Sequence, residues 1–179
     1  SKALQDGRLP GGVVRLERDS LVYEQAWGSK ALEPSPQPMD VSAVFDVASL
    51  TKVVVTAPLV MHLVESGGLR LSCLLYTLPL QRVSESRLVP TEWVTEEPGL
   101  RMLRGEVHDP TARRMGGVAG HAGLFSTVAD LSRFARMVLA GGELDGVRVL
   151  QEATVRRMCA VSTPASVPER RALGWDVDS

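Results

Sequence analysis

The segment Ser49-Leu50-Thr51-Lys52 carries a hydroxyl and an amine three residues apart. Residues at i and i+3 lie on one face of a helix, so the two side chains can meet there. An alcohol is a weak nucleophile at neutral pH and needs a base within hydrogen-bond reach. A lysine supplies that base only as the neutral amine. The spacing therefore predicts Ser49 as a nucleophile and Lys52 as its base.

The residues around this pair predict a helix from about Ser49 to Glu65, ended by Gly67-Gly68. Its faces are almost all apolar, so we expect it to be buried in the middle of a domain. Burial and the positive end of the helix dipole would both favour the neutral form of Lys52. The same helix end would direct backbone N–H groups at an oxyanion formed on the substrate. Pro58 predicts a kink or an irregular turn.

Taken alone, a Ser-x-x-Lys spacing is a weak signal, because a chain of this length contains one by chance about half the time. The alternative is an N-cap serine followed by a solvated lysine. The apolar helix, the position of the motif at its start, and a hairpin and loop before it favour the catalytic interpretation.

Residues 44–52, Val-Phe-Asp-Val-Ala-Ser-Leu-Thr-Lys, and residues 63–71, Leu-Val-Glu-Ser-Gly-Gly-Leu-Arg-Leu, resemble the nucleophile segment of class C β-lactamase-related serine hydrolases. That family includes penicillin-binding-protein-like enzymes, esterases and D-amino-acid peptidases. The similarity covers most of the chain except about 73–88. It extends to further segments: 10–14 with 23–28, 105–109, 116–127 with 130–134, and 173–177.

The resemblance implies an α+β fold, with an antiparallel sheet flanked by helices, a reduced helical region beside it, and the active site between. The chain is then a single, incomplete domain over 1–179, with sheet portions at about 10–48 and 143–179 and a helical portion at about 49–142. By the same resemblance, Ser49 is acylated, Lys52 helps to deprotonate it, and water releases the acyl group. The implied substrate is a small ester, an amide or a peptidoglycan-like peptide.

Two motifs of the family site are not found in this sequence. Tyr76 lacks the asparagine of the second motif, and the third motif would follow the predicted strand at Trp175. His121-Ala122-Gly123 is similar to the third motif, but it precedes a helix, which is not the setting of that motif. In the family this loop lines the substrate pocket, and the resemblance therefore implies that role for His121 and Gly123. The alternative for His121 is an ordinary loop residue. We expect an internally shortened, C-terminally truncated member with impaired activity, or a non-catalytic binding or scaffolding module.

The elements that must position these residues follow from local patterns. A hairpin is predicted from Gly11 to Gly28, and the three prolines of residues 33–42 predict an irregular loop. A glycine-rich loop at 116–123 leads into a helix that begins at the capping box Thr127–Asp130. The apolar stripe of that helix is Leu131, Phe134, Val138 and Leu139.

Further signals mark the last third of the chain. Gly141-Gly142 predict the end of the helix, Asp145-Gly146 a tight turn, and 154–158 a short helix. Alternation at Leu173, Trp175 and Val177 predicts a strand. His62 is expected to be a core or rim residue.

Composition excludes several other classes of protein. The chain has 179 residues, 44% of them hydrophobic and 23% charged, with a net charge of −1, so no nucleic-acid surface is expected. No apolar stretch is long enough to span a membrane, and the N-terminus has no signal-peptide core. Periplasmic or extracellular location is implied by the resemblance only, and the oligomeric state is not predicted.

Neither a metal nor a cofactor is expected. His108-Asp109 and His121 lack ligand spacing on a shared element. Cys73 and Cys159 are too few for a disulfide framework and are interpreted as buried free thiols.

Overall fold

The computed structural model describes residues 9–59, 62, 84–96, 99–166, 168, 170–173 and 175. The predicted end of the long helix at Glu65, together with Cys73, Tyr76 and Val177, lies outside the described residues.

The predicted hairpin is confirmed. Strands β1 (Gly11–Arg18) and β2 (Leu21–Ala31) pair antiparallel, from Gly11 opposite Gly28 to Arg18 opposite Leu21. Strand β2 continues past Gly28 and pairs with the short strand β3 (Gln37–Pro38). The expectation that 33–42 holds no regular structure is therefore wrong at β3. Proline is tolerated there because an edge strand does not need every N–H for pairing.

A second, two-stranded sheet places the segment before Ser49 against the end of the glycine-rich loop. Strand β4 (Phe45–Asp46) pairs antiparallel with β7 (Phe125–Ser126), although about 80 residues separate them in the chain. Between them lie β5 (Trp93–Glu96) and β6 (Gly99–Met102), which form a hairpin that the sequence patterns did not predict. Arg101 joins this hairpin to Glu106 through an ion pair of 2.6 Å.

The helix that follows Ser49 has a π-helical segment at Lys52–Thr56. The amide of Ala57 donates to the carbonyl of Lys52, five residues back. Pro58 has no N–H, and its ring pushes away the carbonyl four residues before it, so a wider turn forms just before the proline. The irregularity predicted at Pro58 is thus confirmed.

Burial of this helix on every face is not observed. Val53 is buried, residues 54–59 are half-buried, and Lys52 and His62 are exposed. Hydrogen bonds of Thr51, Lys52 and Thr56 connect this helix to residues 120–124. That loop covers one side of the helix, and the apolar sequence pattern therefore predicted more burial of the helix than the structure has.

Three α-helices complete the described structure: α1 (Pro110–Arg114), α2 (Val128–Leu139) and α3 (Glu152–Cys159). The capping prediction for α2 is confirmed, since the Thr127 hydroxyl accepts from the Asp130 amide at 3.1 Å. Gly141 and Gly142 end α2 with φ of +64° and +97°. A Cβ at Gly142 would lie 2.3 Å from the Leu150 carbonyl oxygen, so only glycine fits there.

The largest core cluster packs α2 against α3. Its buried members are Met137, Leu150, Val155 and Met158. Phe134, Val138 and Leu173 pack against them, but Leu139 is 87% exposed, so the predicted stripe is wrong at its last position. Strands β8 (Glu143–Leu144) and β9 (Val147–Arg148) lie beside the cluster.

Two other predictions near the cluster have different outcomes. The tight turn is confirmed, because Asp145 and Gly146 both have positive φ, as hairpin turns of two residues require. The predicted strand at Leu173 and Trp175 is wrong. The Ala172 amide donates to the Trp175 carbonyl at 2.9 Å, which forms a turn, and the Trp175 ring stacks on Phe134. The Cys159 thiol is exposed, contrary to expectation, because it ends α3 away from the cluster.

The described elements give an α+β fold, as the sequence predicts. No helix among them has the length and apolar character that would be needed to span a membrane.

Replacement of Thr127 by alanine should destabilise the protein. The substitution leaves the Asp130 amide without its cap, and N-cap losses of this kind cost about 1 kcal/mol in the free energy of unfolding. Urea denaturation measures the change, and Thr127→Ser, which keeps the hydroxyl, is the matched control. Equal stability of Thr127→Ala and the wild type would contradict the assignment of this cap.

Acid should also destabilise the fold. Ion pairs with Arg15 and Arg101 lower the pKa of Glu17 and Glu106, and Lys30 lowers the pKa of Asp40. Because these pKa values are lower in the folded state, their stabilisation is complete above the unfolded values of about 4 and is lost as the pH falls through the folded values. Thermal unfolding should show a Tm that is constant from pH 8 to 6 and falls toward pH 3; a rising Tm would contradict this.

Candidate active site

Ser49 follows a tight backbone turn at Ala48, whose φ is +46°. This left-handed conformation costs a residue with a Cβ about 1–2 kcal/mol, and it persists only where neighbouring groups hold it. Asp46 is such a neighbour, because its Oδ1 accepts from the Ala48 amide at 2.8 Å. The turn places Ser49 at the exposed end of β4, directly before the helix.

Asp46 also connects this turn to a distant segment. Its Oδ2 accepts from the amide of His108 at 2.8 Å, so one carboxylate holds both the nucleophile turn and the chain that leads into α1. Sequence reasoning missed this residue. The available signal was an aspartate two residues before a turn position, where its side chain commonly accepts from the backbone two residues on.

The structure brings the predicted pair together. Lys52 Nζ lies 2.8 Å from Ser49 Oγ, and it also donates to the carbonyl of His121 at 3.1 Å. A neutral amine carries two N–H donors and one lone pair. It can therefore donate to the His121 carbonyl while its lone pair accepts the proton of the Ser49 hydroxyl. The catalytic roles of the two residues stay predictions.

The expected burial of Lys52 is not observed, because both Ser49 and Lys52 are exposed. The lysine with the more buried side chain is Lys30, which is 10% exposed and paired with Asp40 at 2.7 Å. The loop that covers the helix reaches the Lys52 amine only through the His121 carbonyl. Because Lys52 is exposed, its amine is accessible from solvent.

Thr51 is the buried polar residue at the centre of the site, with 0% exposure. Its hydroxyl donates to the Ala48 carbonyl at 2.6 Å and accepts from the Leu124 amide at 3.2 Å. A buried hydroxyl is expensive unless it has partners, and this one has a donor role and an acceptor role filled. Thr51 therefore fixes the turn before Ser49, the start of the helix and the loop relative to one another. Sequence reasoning missed it as well.

The glycine-rich loop is held along the helix by three more backbone contacts. The Gly120 carbonyl accepts from the Thr56 hydroxyl at 2.6 Å, and the Leu124 carbonyl accepts from the Val47 amide at 3.1 Å. His121 lies between them and contacts Lys52 through its own carbonyl. Gly123 is buried, with φ of +117°, a conformation that L side chains rarely adopt. The substrate-binding roles of His121 and Gly123 stay predictions.

The structure has fewer unpaired backbone N–H groups at the helix start than the sequence predicts. The amides of residues 50–52 donate to the carbonyls of residues 47–49 at 3.0 Å each, so they are already paired. Within the part of the chain that the structure describes, no acceptor is paired with the amide of Ser49. That amide is therefore the candidate donor to an oxyanion formed when Ser49 Oγ attacks a carbonyl carbon.

Two histidine–carboxylate contacts lie next to the site. His121 Nε2 is 3.0 Å from Asp109 Oδ1, and His108 Nε2 is 3.1 Å from Glu92 Oε2. The amide of Ala112 and the ring of His121 lower the pKa of Asp109. Among the described residues, no three His, Cys, Asp or Glu side chains are grouped as a metal site would require.

Two clefts of the described surface, of about 280 and 200 Å³, lie elsewhere. The larger is an apolar groove between β1, β4, β7 and the start of α2, and the smaller lies beside β2, β5 and β6. Neither is lined by Ser49 or Lys52, so the reacting pair is open to solvent in the described structure.

Comparison with known proteins gives the following matches. The sequence profile of the family described as Beta-lactamase matches residues 1–96. A protein of Escherichia coli (strain K12) named "Putative D-alanyl-D-alanine carboxypeptidase" is 38% identical over 77 residues, which are 42% of this chain and 17% of that protein. A protein of the same name from Salmonella paratyphi B is 34% identical over 108 residues, which are 58% of this chain and 24% of that protein. The matches thus span less than a quarter of the length of these relatives.

Among solved structures, the octameric penicillin-binding protein homologue from Pyrococcus abyssi superposes with a TM-score of 0.60 and 14% identity, over 97% of this chain and 62% of that chain. At this identity the likeness concerns the fold, and it agrees with the penicillin-binding-protein-like α+β fold implied by the sequence.

Replacement of Asp46 by alanine should destabilise the turn before Ser49. The amides of Ala48 and His108 both lose their acceptor, and a hydrogen bond of this kind contributes about 0.5–1.5 kcal/mol to the free energy of unfolding. Asp46→Asn keeps one acceptor oxygen and should lose about half as much. Urea denaturation of both variants measures the difference. Wild-type stability in Asp46→Ala would show that the carboxylate does not hold this turn.

Proposed function

The chain belongs to the β-lactamase family, and on that premise we propose that it is a serine hydrolase that reacts through an acyl-serine intermediate at Ser49. The observation that carries the proposal is the contact of 2.8 Å between Lys52 Nζ and Ser49 Oγ. It gives the nucleophile a base within hydrogen-bond reach, which an unactivated serine lacks.

The proposed reaction has two stages. Ser49 Oγ attacks the carbonyl carbon of the substrate while its proton passes to the neutral amine of Lys52, and the carbonyl electron pair moves to oxygen. The Ser49 amide donates to this oxyanion. When the oxyanion collapses, the bond to the leaving alcohol or amine breaks, and that group takes the proton from Lys52. Water then attacks the acyl ester, which frees the acid and restores the Ser49 hydroxyl.

Three substrate classes fit this chemistry: β-lactams, small esters and D-amino peptides. The names of the Escherichia coli and Salmonella relatives favour peptides that end in D-alanyl-D-alanine. Such peptides belong to the bacterial cell wall, so the proposal includes a periplasmic or extracellular location. Ser49 and Lys52 are both exposed, so the end of a peptide can reach them from solvent.

The proposal also includes slow turnover. Burial favours the neutral form of a lysine, and Lys52 is exposed. Loss of a single oxyanion donor typically costs 10²–10³ in rate. The Ser49 amide is the candidate donor that this proposal assigns to the oxyanion.

The test is acylation of Ser49 by a fluorescent penicillin and hydrolysis of p-nitrophenyl acetate. Ser49→Ala should abolish both, and Lys52→Met should lower both by about 10²–10⁴, the range that general-base catalysis contributes. Ser20→Ala, at the exposed hairpin turn, and Lys30→Met, away from the site, are the matched controls and should react like the wild type.

Equal labelling of Ser49→Ala and the wild type would overturn the proposal. Rapid turnover that depends on Ser49 would contradict the proposed slow turnover but would support the proposed serine hydrolase function.

A non-catalytic binding module is the second candidate, and the exposure of Lys52 favours it. A domain of this kind would keep the fold and bind the same peptides without forming a covalent bond. Intact-protein mass spectrometry after incubation with penicillin distinguishes the two. An adduct of one acyl group on the wild type supports the hydrolase, whereas saturable binding of D-alanyl-D-alanine with no adduct supports the binding module.

A further inference from the structure

One side-chain contact beside the site has no part in the proposed reaction. Asp109 Oδ1 lies 3.0 Å from His121 Nε2, and the two side chains are 37% and 36% exposed. Asp109 is also the N-cap of α1, where its Oδ1 accepts from the Ala112 amide at 2.7 Å. The contact with His121 thus attaches the glycine-rich loop to a residue that α1 already holds in place.

The backbone of His121 is what connects this contact to the Lys52 amine. A carbonyl only accepts hydrogen bonds, so the His121 carbonyl engages an N–H of Lys52 and never its lone pair. The position of this carbonyl therefore determines whether the lone pair of the neutral amine faces Ser49 Oγ. A shift of the carbonyl by about 1 Å would turn the amine away, and misplacements of that size can cost about a hundredfold in rate.

The loop needs a side-chain anchor because its sequence gives it little stiffness. Residues 116–123 read Gly-Gly-Val-Ala-Gly-His-Ala-Gly, and His121 carries the only polar side chain among them. Gly116 and Gly117 have φ of +81° and +82°, and fixing glycine costs more backbone entropy than fixing any other residue. Of the side chains in this loop, the His121 ring alone is able to bind a fixed polar group.

Asp109 is itself held relative to the nucleophile. The amide of the preceding residue, His108, donates to Asp46, the carboxylate that also holds the turn before Ser49. The contacts therefore run from the Ser49 turn through Asp46 to Asp109, then through His121 to Lys52. Ser49 and Lys52 are thus positioned by two linked carboxylates. The Ala112 amide and the His121 ring lower the pKa of Asp109, so its carboxylate stays charged at neutral pH and in mild acid.

We propose that Asp109 and His121 form a positioning pair, which holds the His121 carbonyl where it orients the Lys52 amine toward Ser49. This inference rests on the proposed serine hydrolase function. Neither side chain touches the reacting atoms. The His121 carbonyl contacts Lys52 Nζ at 3.1 Å, and both residues act through that amine.

Three variants separate the positioning role from the capping role. Asp109→Ser keeps a good N-cap residue but is too short to reach the ring of His121. His121→Leu removes the ring nitrogens and keeps the backbone carbonyl, whereas His121→Gln keeps a side-chain N–H that can reach Asp109. Glu92→Gln is the matched control, because it changes the other exposed histidine–carboxylate contact, which Glu92 makes with the ring of His108 and not with the His121 loop.

In p-nitrophenyl acetate hydrolysis, Asp109→Ser and His121→Leu should lower kcat about ten- to a hundredfold with little change in KM. His121→Gln should restore most of kcat, and Glu92→Gln should match the wild type. Far-UV circular dichroism checks that each variant folds. Because Asp109 and His121 are substituted separately, a folding defect in one variant leaves the other as a test. Wild-type kcat in folded His121→Leu or Asp109→Ser would overturn the inference.

The decisive arm repeats Asp109→Ser in a Lys52→Ala background, with acyl adducts counted by mass spectrometry over hours. If Asp109 acts through Lys52, the second substitution should have no further effect. An equal fold-loss in both backgrounds would show a merely structural role and overturn the pair. Full activity of Lys52→Ala alone would instead overturn the proposed function, and the pair with it.

A readout without turnover uses the lysines of the chain, which are only Lys2, Lys30 and Lys52. Acetylation by limiting acetic anhydride is measured for each lysine-containing peptide, with Lys30 as the internal reference. In Asp109→Ser and His121→Leu, labelling of Lys52 relative to Lys30 should change by about two- to tenfold, the range that corresponds to loss of one hydrogen bond. An unchanged ratio in both variants would overturn the inference even in a protein with no measurable hydrolysis.

Discussion

The left-handed backbone at Ala48 is the constraint on which the rest of the site depends. Alanine does not favour this conformation, so other groups must hold it, and they come from both directions of the chain. Asp46 binds the Ala48 amide from the strand before it, and the Thr51 hydroxyl binds the Ala48 carbonyl from the helix after it. Each of these two side chains also makes a second hydrogen bond, which it accepts from a backbone amide in a distant segment. The side chains that hold the strained conformation of Ala48 are thus the same ones that connect the parts of the site.

These contacts explain how three separate stretches of chain converge on Ser49. The Asp46 carboxylate reaches the amide of His108, and Thr51 reaches the amide of Leu124, while β4 pairs with β7 directly beyond the loop. The partners are backbone amides, so the arrangement depends on the course of the chain more than on the side chains of the loop. The side chain of His121 is the exception, because it meets Asp109 rather than a backbone group.

Local signals in the sequence predicted most of the elements that local interactions determine. The cap at Thr127, the glycine pair after α2 and the turn at Asp145 each depend on neighbours within a few residues, and the structure contains all three. The contact of Ser49 with Lys52 belongs to the same class, since three residues separate them. The burial of Lys52 was predicted wrongly because burial depends on elements packed from elsewhere, which an apolar pattern does not locate. Asp46 was missed because its second partner lies 62 residues away.

Because Lys52 is exposed, an effect other than desolvation has to make it an effective base. In a buried site, loss of solvation drives a lysine toward the neutral form, and the surroundings need do little else. At an exposed position that effect is weak, so reactivity depends on whether the lone pair of the amine points at Ser49 Oγ. Orientation then carries a larger share of the catalysis than desolvation does. The two hydrogen-bond partners of the Lys52 amine, Ser49 Oγ and the His121 carbonyl, are the groups that set this orientation. The carbonyl belongs to a loop made mostly of glycine and alanine. Reactivity of Ser49 should therefore follow the rigidity of that loop.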